Sequence, residues 1–182
     1  MITGKFPNLR LRRSRKNDWS RRLIEENNLT PNDFILPVFL IDGKNKKQTI
    51  KSMPGVFRYS LDKLSYVVDG AIKKGLPMIA LFPYTKKEKK NILGIEALNE
   101  DNLVCRALKL IKKKYKNEIG IMCDVALDPY TSHGHDGLLK NDYVLNDETI
   151  KILKDQSLLQ AQMGCDVIAP SDMMDGRIGE IR

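Results

Sequence analysis

Residues 123–137 read CDVALDPYTSHGHDG, an apolar run that passes directly into a loop rich in ionisable side chains. The run extends from Ile119 to Leu127, which predicts a buried strand that is broken at Pro129. Both histidines of the chain lie in the loop that follows. In α/β enzymes the loops at the carboxyl ends of parallel strands carry the chemistry, so this stretch predicts where the functional site lies.

Three more apolar runs predict strands, and helical periodicity fills the intervals between them. The predicted strands are Phe34–Ile41, Pro77–Phe82, Ile119–Leu127 and Cys165–Ala169, and the helices begin near Ser60, Asn99 or Asp101, and Asn146. Continuous apolar strands that alternate with helices indicate an α/β fold with a parallel sheet and right-handed crossovers. A Rossmann fold is disfavoured, because no Gly-x-Gly-x-x-Gly follows the first strand. A TIM (β/α)8 barrel needs eight such units, so these four predict its first half.

The last of these helices is predicted to run from Asn146 to about Met163, with Gly164 as its stop. Its apolar spacing predicts an inward face made by Ile150, Leu153, Ser157, Leu158 and Ala161.

The net charge of +8 is concentrated at the N-terminus. Residues 1–22 hold eight basic side chains against Asp18 alone, so they carry +7 and the remainder +1. We therefore divide the chain into a basic N-terminal arm with a short helix from Asp18 to Asn27, residues 1–33, and four βα units of an incomplete barrel, residues 34–182. Nucleic-acid binding by the arm is the weaker interpretation, because only Phe6 and Trp19 accompany its charges and no binding motif follows.

Composition also limits the location of the protein. With 42% hydrophobic and 30% charged residues the chain resembles ordinary globular proteins. No apolar run approaches the roughly 20 residues that span a bilayer, and the N-terminus lacks the apolar core of a secretory signal. Cys105, Cys123 and Cys165 show no paired spacing, which favours reduced thiols. We expect a cytoplasmic protein without membrane contact; the basic start also admits an organelle transit peptide, for which little room remains.

Four blocks of sequence resemble one family, that of 5-aminolevulinate dehydratase, also called porphobilinogen synthase. The long blocks are Asp124 to Gly137 and Ala169 to Arg177, and the short ones are Leu36 to Phe39 and Ser52 to Val56. The resemblance implies an enzyme of tetrapyrrole and heme biosynthesis, a lyase that condenses two 5-aminolevulinate molecules to porphobilinogen. It also implies a homo-oligomer in which the N-terminal arm wraps a neighbouring subunit.

The metal loop departs from the zinc-dependent pattern of the family. The resemblance implies that the cysteines of a three-thiolate zinc site correspond here to Ala126, Asp128 and Asp136. Carboxylates are hard ligands that suit magnesium, whereas thiolates suit zinc. The chain therefore resembles the zinc-independent, aspartate-rich type, with magnesium as the expected cation and its site expected beyond this chain. Whether Asp128 and Asp136 hold a cation or pair with a basic side chain stays open.

Four side chains are the catalytic candidates: Asp124, Asp128, Asp136 and Ser171. Asp124 lies within an apolar run, where a carboxylate is costly to bury unless it is paired. In a barrel it would face the mouth and position a lysine or move a proton; a structural ion pair is the alternative. The resemblance implies that Ser171 lines the substrate pocket. For His133 a loop-bracing role is favoured, and Arg177 is expected to pair with Asp172 or Asp175.

The remaining substrate-binding residues are expected beyond Arg182. The resemblance implies that two lysines form Schiff bases with the substrate, both on later strands than these, and that the carboxylate-binding arginines lie there too. We therefore expect these 182 residues to be part of a larger enzyme and to lack activity alone. The alternative is a non-catalytic half-barrel that acts as an assembly or regulatory partner of a full-length synthase.

Overall fold

The computed structural model describes residues 4–182. Its strands are β1 Ile35–Ile41, β2 Lys47–Thr49, β3 Phe57–Tyr59, β4 Met78–Tyr84, β5 Gly120–Val125, β6 Leu139–Lys140, β7 Tyr143–Val144 and β8 Val167–Pro170. Its helices are α1 Asp18–Leu23, α2 Leu64–Lys73, α3 Leu103–Tyr115, α4 Asn146–Gln162 and α5 Arg177–Ile181. Short 3₁₀ turns lie between several of these elements.

One six-stranded sheet runs in the order β2-β3-β1-β4-β5-β8. The strands β1, β4, β5 and β8 are parallel neighbours, as the four apolar runs predict. Each is followed along the chain by a helix, so the predicted α/β half-barrel is confirmed. The sequence did not predict β2 and β3, which pair with each other in antiparallel orientation. β3 also pairs in parallel with the carboxyl end of β1. A separate hairpin of β6 and β7 follows the loop after β5.

The two faces of the parallel strands are covered to different extents. Outward-facing side chains such as Leu40, Leu81 and Ile121 pack beneath α2 and α3 and are fully buried. The alternate residues form the inner face, which the helices do not cover. Phe82 and Met122 on that face are only half-buried. The outer core thus holds the strands in place, while the inner face presents side chains on the opposite side of the sheet.

The buried face of α4 matches the predicted face only in part. Ile150, Leu153 and Ser157 are buried as expected, but Leu158 is 58% exposed and Ala161 is exposed. The buried positions are taken instead by Leu159 and by two glutamines, Gln156 and Gln160. The prediction was wrong because apolar periodicity gives no weight to amide side chains that bond to strand carbonyls. The helix begins at Asn146, as predicted, but the sequence favours the Asn146 side chain as its N-cap, whereas the N-cap in the structure is Leu145.

The N-terminal arm is described from Gly4, and Met1 to Thr3 of the predicted arm lie outside the described residues. Its helix α1 ends at Leu23, four residues before the predicted end. Within the arm, Leu11, Trp19 and Leu23 are each more than half exposed. Among residues 4–182, no helix is both long enough and apolar enough to cross a membrane.

Candidate active site

Two catalytic candidates meet at the carboxyl ends of adjacent strands. Asp124 lies near the end of β5, opposite Ala169 of β8 in the parallel register. Ser171 follows β8 directly, and its hydroxyl donates a hydrogen bond to Asp124 Oδ1. The pairing arises because parallel strands end at one edge of the sheet, so residues 47 positions apart become neighbours.

Burial and neighbouring charge keep Asp124 from ionising easily. Its pKa is raised, mainly because the carboxyl group is partly desolvated on the inner face, and the negative charge of Asp172 adds to this effect. The hydrogen bond from Ser171 opposes the shift, because it stabilises the ionised form. A carboxyl group with a raised pKa can hold or release a proton nearer to neutral pH than an ordinary aspartate.

Asp128 and Asp136 lie in the loop that follows β5. The pKa of Asp128 is raised, first by partial desolvation and then by the charges of Asp124 and Asp136. Because the Asp128 residue is exposed, we expect solvent screening to reduce this shift. Because the charges of Asp124 and Asp136 both act on Asp128, the three carboxylates lie in one electrostatic neighbourhood.

Local hydrogen bonds hold the loop that carries these aspartates. Thr131 is fully buried, and its hydroxyl donates to the carbonyl of His135 at 2.8 Å. His133 Nδ1 accepts the amide of His135 at 3.1 Å, as a loop-bracing role predicts. His135 Nδ1 accepts the amide of Gly137 at 2.9 Å and lies 3.1 Å from Asp136 Oδ1. Both histidines thus use one ring nitrogen to shape the backbone.

Sequence reasoning missed two cations of the candidate site. A pocket of about 290 Å³ at the strand ends has Arg58, Lys90, Asp124 and Asp128 among its lining residues. Lys90 Nζ donates to the backbone carbonyl of Asp128 at 3.1 Å, and the Arg58 guanidinium lies 4.7 Å from the ring centroid of Tyr84. No motif marked either residue: Lys90 ends a lysine-rich run that reads as a solvated loop, and Arg58 lies on the unpredicted β3.

The loop after β8 is anchored by a buried ion pair. Asp172 Oδ2 lies 3.1 Å from Arg177 Nε, and the Asp172 side chain is fully buried. Asp172 Oδ1 accepts the amide of Met174 at 2.7 Å. Of the two partners predicted for Arg177, the structure therefore selects Asp172. This pair fixes the turn that begins at Ser171, and Met174 packs into the apolar cluster beneath the aspartate loop.

The described chain reaches one helix past that loop, to Arg182. This residue follows α5 and is exposed, and its amide donates to the carbonyl of Ile178 at 3.2 Å. The substrate-binding and Schiff-base residues that we expect beyond Arg182 lie outside residues 4–182, so their positions stay a prediction.

The side chains of the loop can be compared with the ligands that a metal requires. At the three positions implied for zinc, Ala126 is buried and has no ligand atom, and Asp128 and Asp136 offer only oxygen. This donor set does not fit a three-thiolate zinc site. Among the residues that the structure describes, no group of three or more His, Cys, Asp or Glu side chains is arranged to hold a metal ion.

Comparison with known proteins agrees with this geometry. The family model described as delta-aminolevulinic acid dehydratase matches residues 8–182. The dehydratase of Bradyrhizobium diazoefficiens is 55% identical over 174 residues, which cover 96% of this chain and 49% of that protein. The enzyme of Chlamydia pneumoniae is 44% identical, with 95% of this chain and 52% of that protein covered.

A solved structure gives the same result. The Toxoplasma gondii delta-aminolevulinic acid dehydratase (porphobilinogen synthase), determined in complex with the reaction product porphobilinogen, superposes with a TM-score of 0.89 at 39% identity. The match covers 96% of this chain and 49% of that one. The chain thus spans about half the length of the relatives it matches. With its sequence motifs, its half-barrel and its Asp124–Ser171 pair, the chain belongs to the delta-aminolevulinic acid dehydratase family.

Proposed function

We propose that the protein containing these residues is a porphobilinogen synthase, which condenses two molecules of 5-aminolevulinate to porphobilinogen. The observation that carries the proposal is the Asp124–Ser171 pair, which joins the two long family motifs at one edge of the sheet. In this proposal the 182 residues supply Asp124, Asp128, Asp136 and Ser171 to the active site. The Schiff-base lysines belong to the four βα units that complete the barrel.

Asp124 is assigned the proton-transfer role. Its raised pKa suits a group that exchanges protons with a substrate amine or with a nearby lysine amine. Ser171 holds the carboxyl group in one orientation through its hydrogen bond. At the same pocket the positive charge of Lys90 offsets part of the rise in the pKa of Asp128, because it favours the ionised carboxylate.

The test is an assay of the complete protein with 5-aminolevulinate and magnesium, with the product detected as an Ehrlich-reactive pyrrole. We expect activity in the wild type, a loss of at least about a hundredfold in Asp124→Ala, and near-normal activity in the surface variant Asp147→Ala. We expect the 182 residues alone to be inactive. No pyrrole from the complete wild-type protein would disprove the function, and full activity of Asp124→Ala would disprove the role.

We propose magnesium as the cation and exclude a three-thiolate zinc site on the chemistry of Ala126, Asp128 and Asp136. In this proposal the magnesium site lies outside these residues. Activity should survive a zinc-selective chelator and fall when magnesium is removed with EDTA. Strong inhibition by the zinc-selective chelator would contradict the proposal.

We also propose that the protein is a cytoplasmic homo-oligomer held partly by the N-terminal arm. The arm supports this because it exposes Leu11, Trp19 and Leu23 beside its positive charges. Light scattering should give a mass above that of one subunit, and removal of residues 1–33 should reduce it. An unchanged mass after that deletion would contradict the role of the arm, and membrane-bound protein in cell fractionation would contradict the location.

A second candidate is favoured by the uncovered inner face. A half-barrel with exposed inner residues can act as an assembly partner that pairs with a full-length synthase rather than as part of one enzyme. Its mark would be a stable 182-residue protein that co-purifies with an intact synthase. A polypeptide that continues through four further βα units would eliminate this alternative.

A further inference from the structure

Two buried glutamines of α4 hold the strand that carries Asp124. Gln156 and Gln160 lie one helical turn apart and are only 1% and 2% exposed. Gln160 Nε2 donates to the backbone carbonyl of Asp124 at 3.0 Å, and Gln156 Nε2 donates to that of Ala126 at 3.3 Å. Both bonds therefore end on the backbone between the inner-face carboxylate and the aspartate loop.

The neighbouring strand explains why the Asp124 carbonyl is available. Gly120 N donates to Pro77 O at 2.9 Å, and β4 and β5 then run in parallel register from Met78↔Gly120 to Leu81↔Cys123. Parallel ladders repeat in steps of two residues, so the amide that would reach the Asp124 carbonyl belongs to residue 83. That residue is a proline, which has no N–H. The Gln160 amide occupies the place of the missing donor.

The arrangement leaves a polar atom unsatisfied on each glutamine. Within residues 4–182, Gln156 Oε1 and Gln160 Oε1 have no hydrogen-bond partner although both are buried. An unpaired buried acceptor lowers stability, so an apolar side chain would be the simpler filling for this space. The presence of a glutamine at position 160 is explained if its side-chain N–H is needed to bond the Asp124 carbonyl, where Pro83 interrupts the hydrogen bonds between β4 and β5.

We propose that Gln160, assisted by Gln156, is a positioning residue that replaces the N–H absent at Pro83 and fixes the carboxyl end of β5, so that Asp124 stays within reach of Ser171. The proposal rests on the proposed function only in treating Asp124 as the acting group. Gln160 itself contacts the backbone and no reacting atom.

Hydrogen–deuterium exchange measured by mass spectrometry tests this without any need for activity. In Gln160→Met, which keeps the side-chain length but removes the donor, exchange in residues 124–128 should rise by roughly fivefold to tenfold. Exchange in α3 should stay unchanged, since global loosening would affect both segments. Unchanged exchange at 124–128, or an equal rise in α3, would overturn the proposal.

The decisive control restores the donor on the other strand. Pro83→Ala returns an N–H opposite the Asp124 carbonyl, so the double variant Gln160→Met/Pro83→Ala should exchange within about twofold of Pro83→Ala alone. A role in packing would not be rescued in this way, because the second substitution removes volume. If Gln160→Met fails to fold, a folded double variant supports the proposal and an unfolded one overturns it. Absence of enzymatic activity in every variant would count against the proposed function and leave this test intact.

Discussion

The two faces of the same parallel strands differ in how deeply their side chains are buried. Cys123 and Leu81 point outward and are fully buried, whereas their chain neighbours Asp124 and Phe82 point inward and are only partly buried. The outer face has the dense apolar packing that stabilises a fold. The inner face has stacked aromatic rings, Phe39 and Phe82 at 5.5 Å, and a carboxyl group with a raised pKa. Stability therefore resides mainly on one side of the sheet, and the candidate catalytic carboxyl group of Asp124 lies on the other.

The largest predicted effect compares two adjacent residues of β4. Leu81→Ala should lower the free energy of unfolding by about 3 kcal/mol, because it opens a cavity in the fully buried outer core. Phe82→Ala removes a larger side chain but from the half-buried inner face, so we expect a loss of about 1 kcal/mol. Urea unfolding of both variants measures the difference. Equal losses would show that the inner face contributes as much to stability as the outer core.

A second prediction concerns the ion pair beneath the Ser171 loop. Asp172→Ala should cost about 2 kcal/mol, because it leaves Arg177 without its buried partner and frees the Met174 amide. The matched control is Glu180→Ala, which breaks an exposed pair with Lys154 at 3.6 Å and should change stability by less than about 0.5 kcal/mol. If the two variants are equally stable, the buried pair does not anchor the loop.

The sequence sufficed for the elements whose stability comes from the outer core. The apolar runs near Val38, Ile79, Ile121 and Ile168 predict the four parallel strands, because burial under helices requires such runs. The strands β2 and β6 could not be predicted in this way. β2 is short and polar and β6 has only two residues, and each strand forms only by pairing with a neighbouring strand.

The candidate site was predictable only in part, and for a related reason. Asp124 and Ser171 stand out because they lie at strand ends and within family motifs. Arg58, Lys90 and Gln160 do not, because their positions depend on tertiary contacts: an edge strand, a loop that turns back toward Asp128, and a helix face rotated from its apolar stripe. Local patterns do not encode such contacts.

A third prediction uses the raised pKa of Asp124. A carboxyl group whose pKa is higher in the folded state contributes fully to stability below its unfolded pKa, about 3.9, and loses that contribution as the pH rises through the folded value. Asp124→Asn should therefore raise the free energy of unfolding at pH 7 and have little effect near pH 3.5. Thermal unfolding at several pH values measures the difference.

Asp69 on the outer surface provides a control of opposite sign. Its pKa is lowered, mainly by the hydrogen bond from the Tyr115 hydroxyl at 2.6 Å. Its contribution is present above the unfolded pKa and is lost as the pH falls through the folded value. Asp69→Asn should therefore destabilise the protein at pH 7, with the difference shrinking in acid. If Asp124→Asn and Asp69→Asn change the free energy of unfolding at pH 7 in the same direction, the two faces do not differ in how they shift the pKa of a carboxyl group.

The smallest effect is expected from the cysteines, and it tests the closure of the outer face most directly. Cys105 and Cys123 are fully buried, and burial raises the pKa of Cys105 to about 11. Cys165, just before β8, is only partly buried, so of these three cysteines Cys165 alone should react quickly with a disulfide reagent at pH 8. Cys165→Ser should abolish that reaction and change stability by less than about 0.5 kcal/mol.

Because Cys123 lies between Met122 and Asp124 on the chain, its reaction at a similar rate would mean that β5 opens on both faces together. If Cys123 does not react while Asp124 shows the expected pH dependence, the stable outer face and the accessible inner face are separated within the single strand β5.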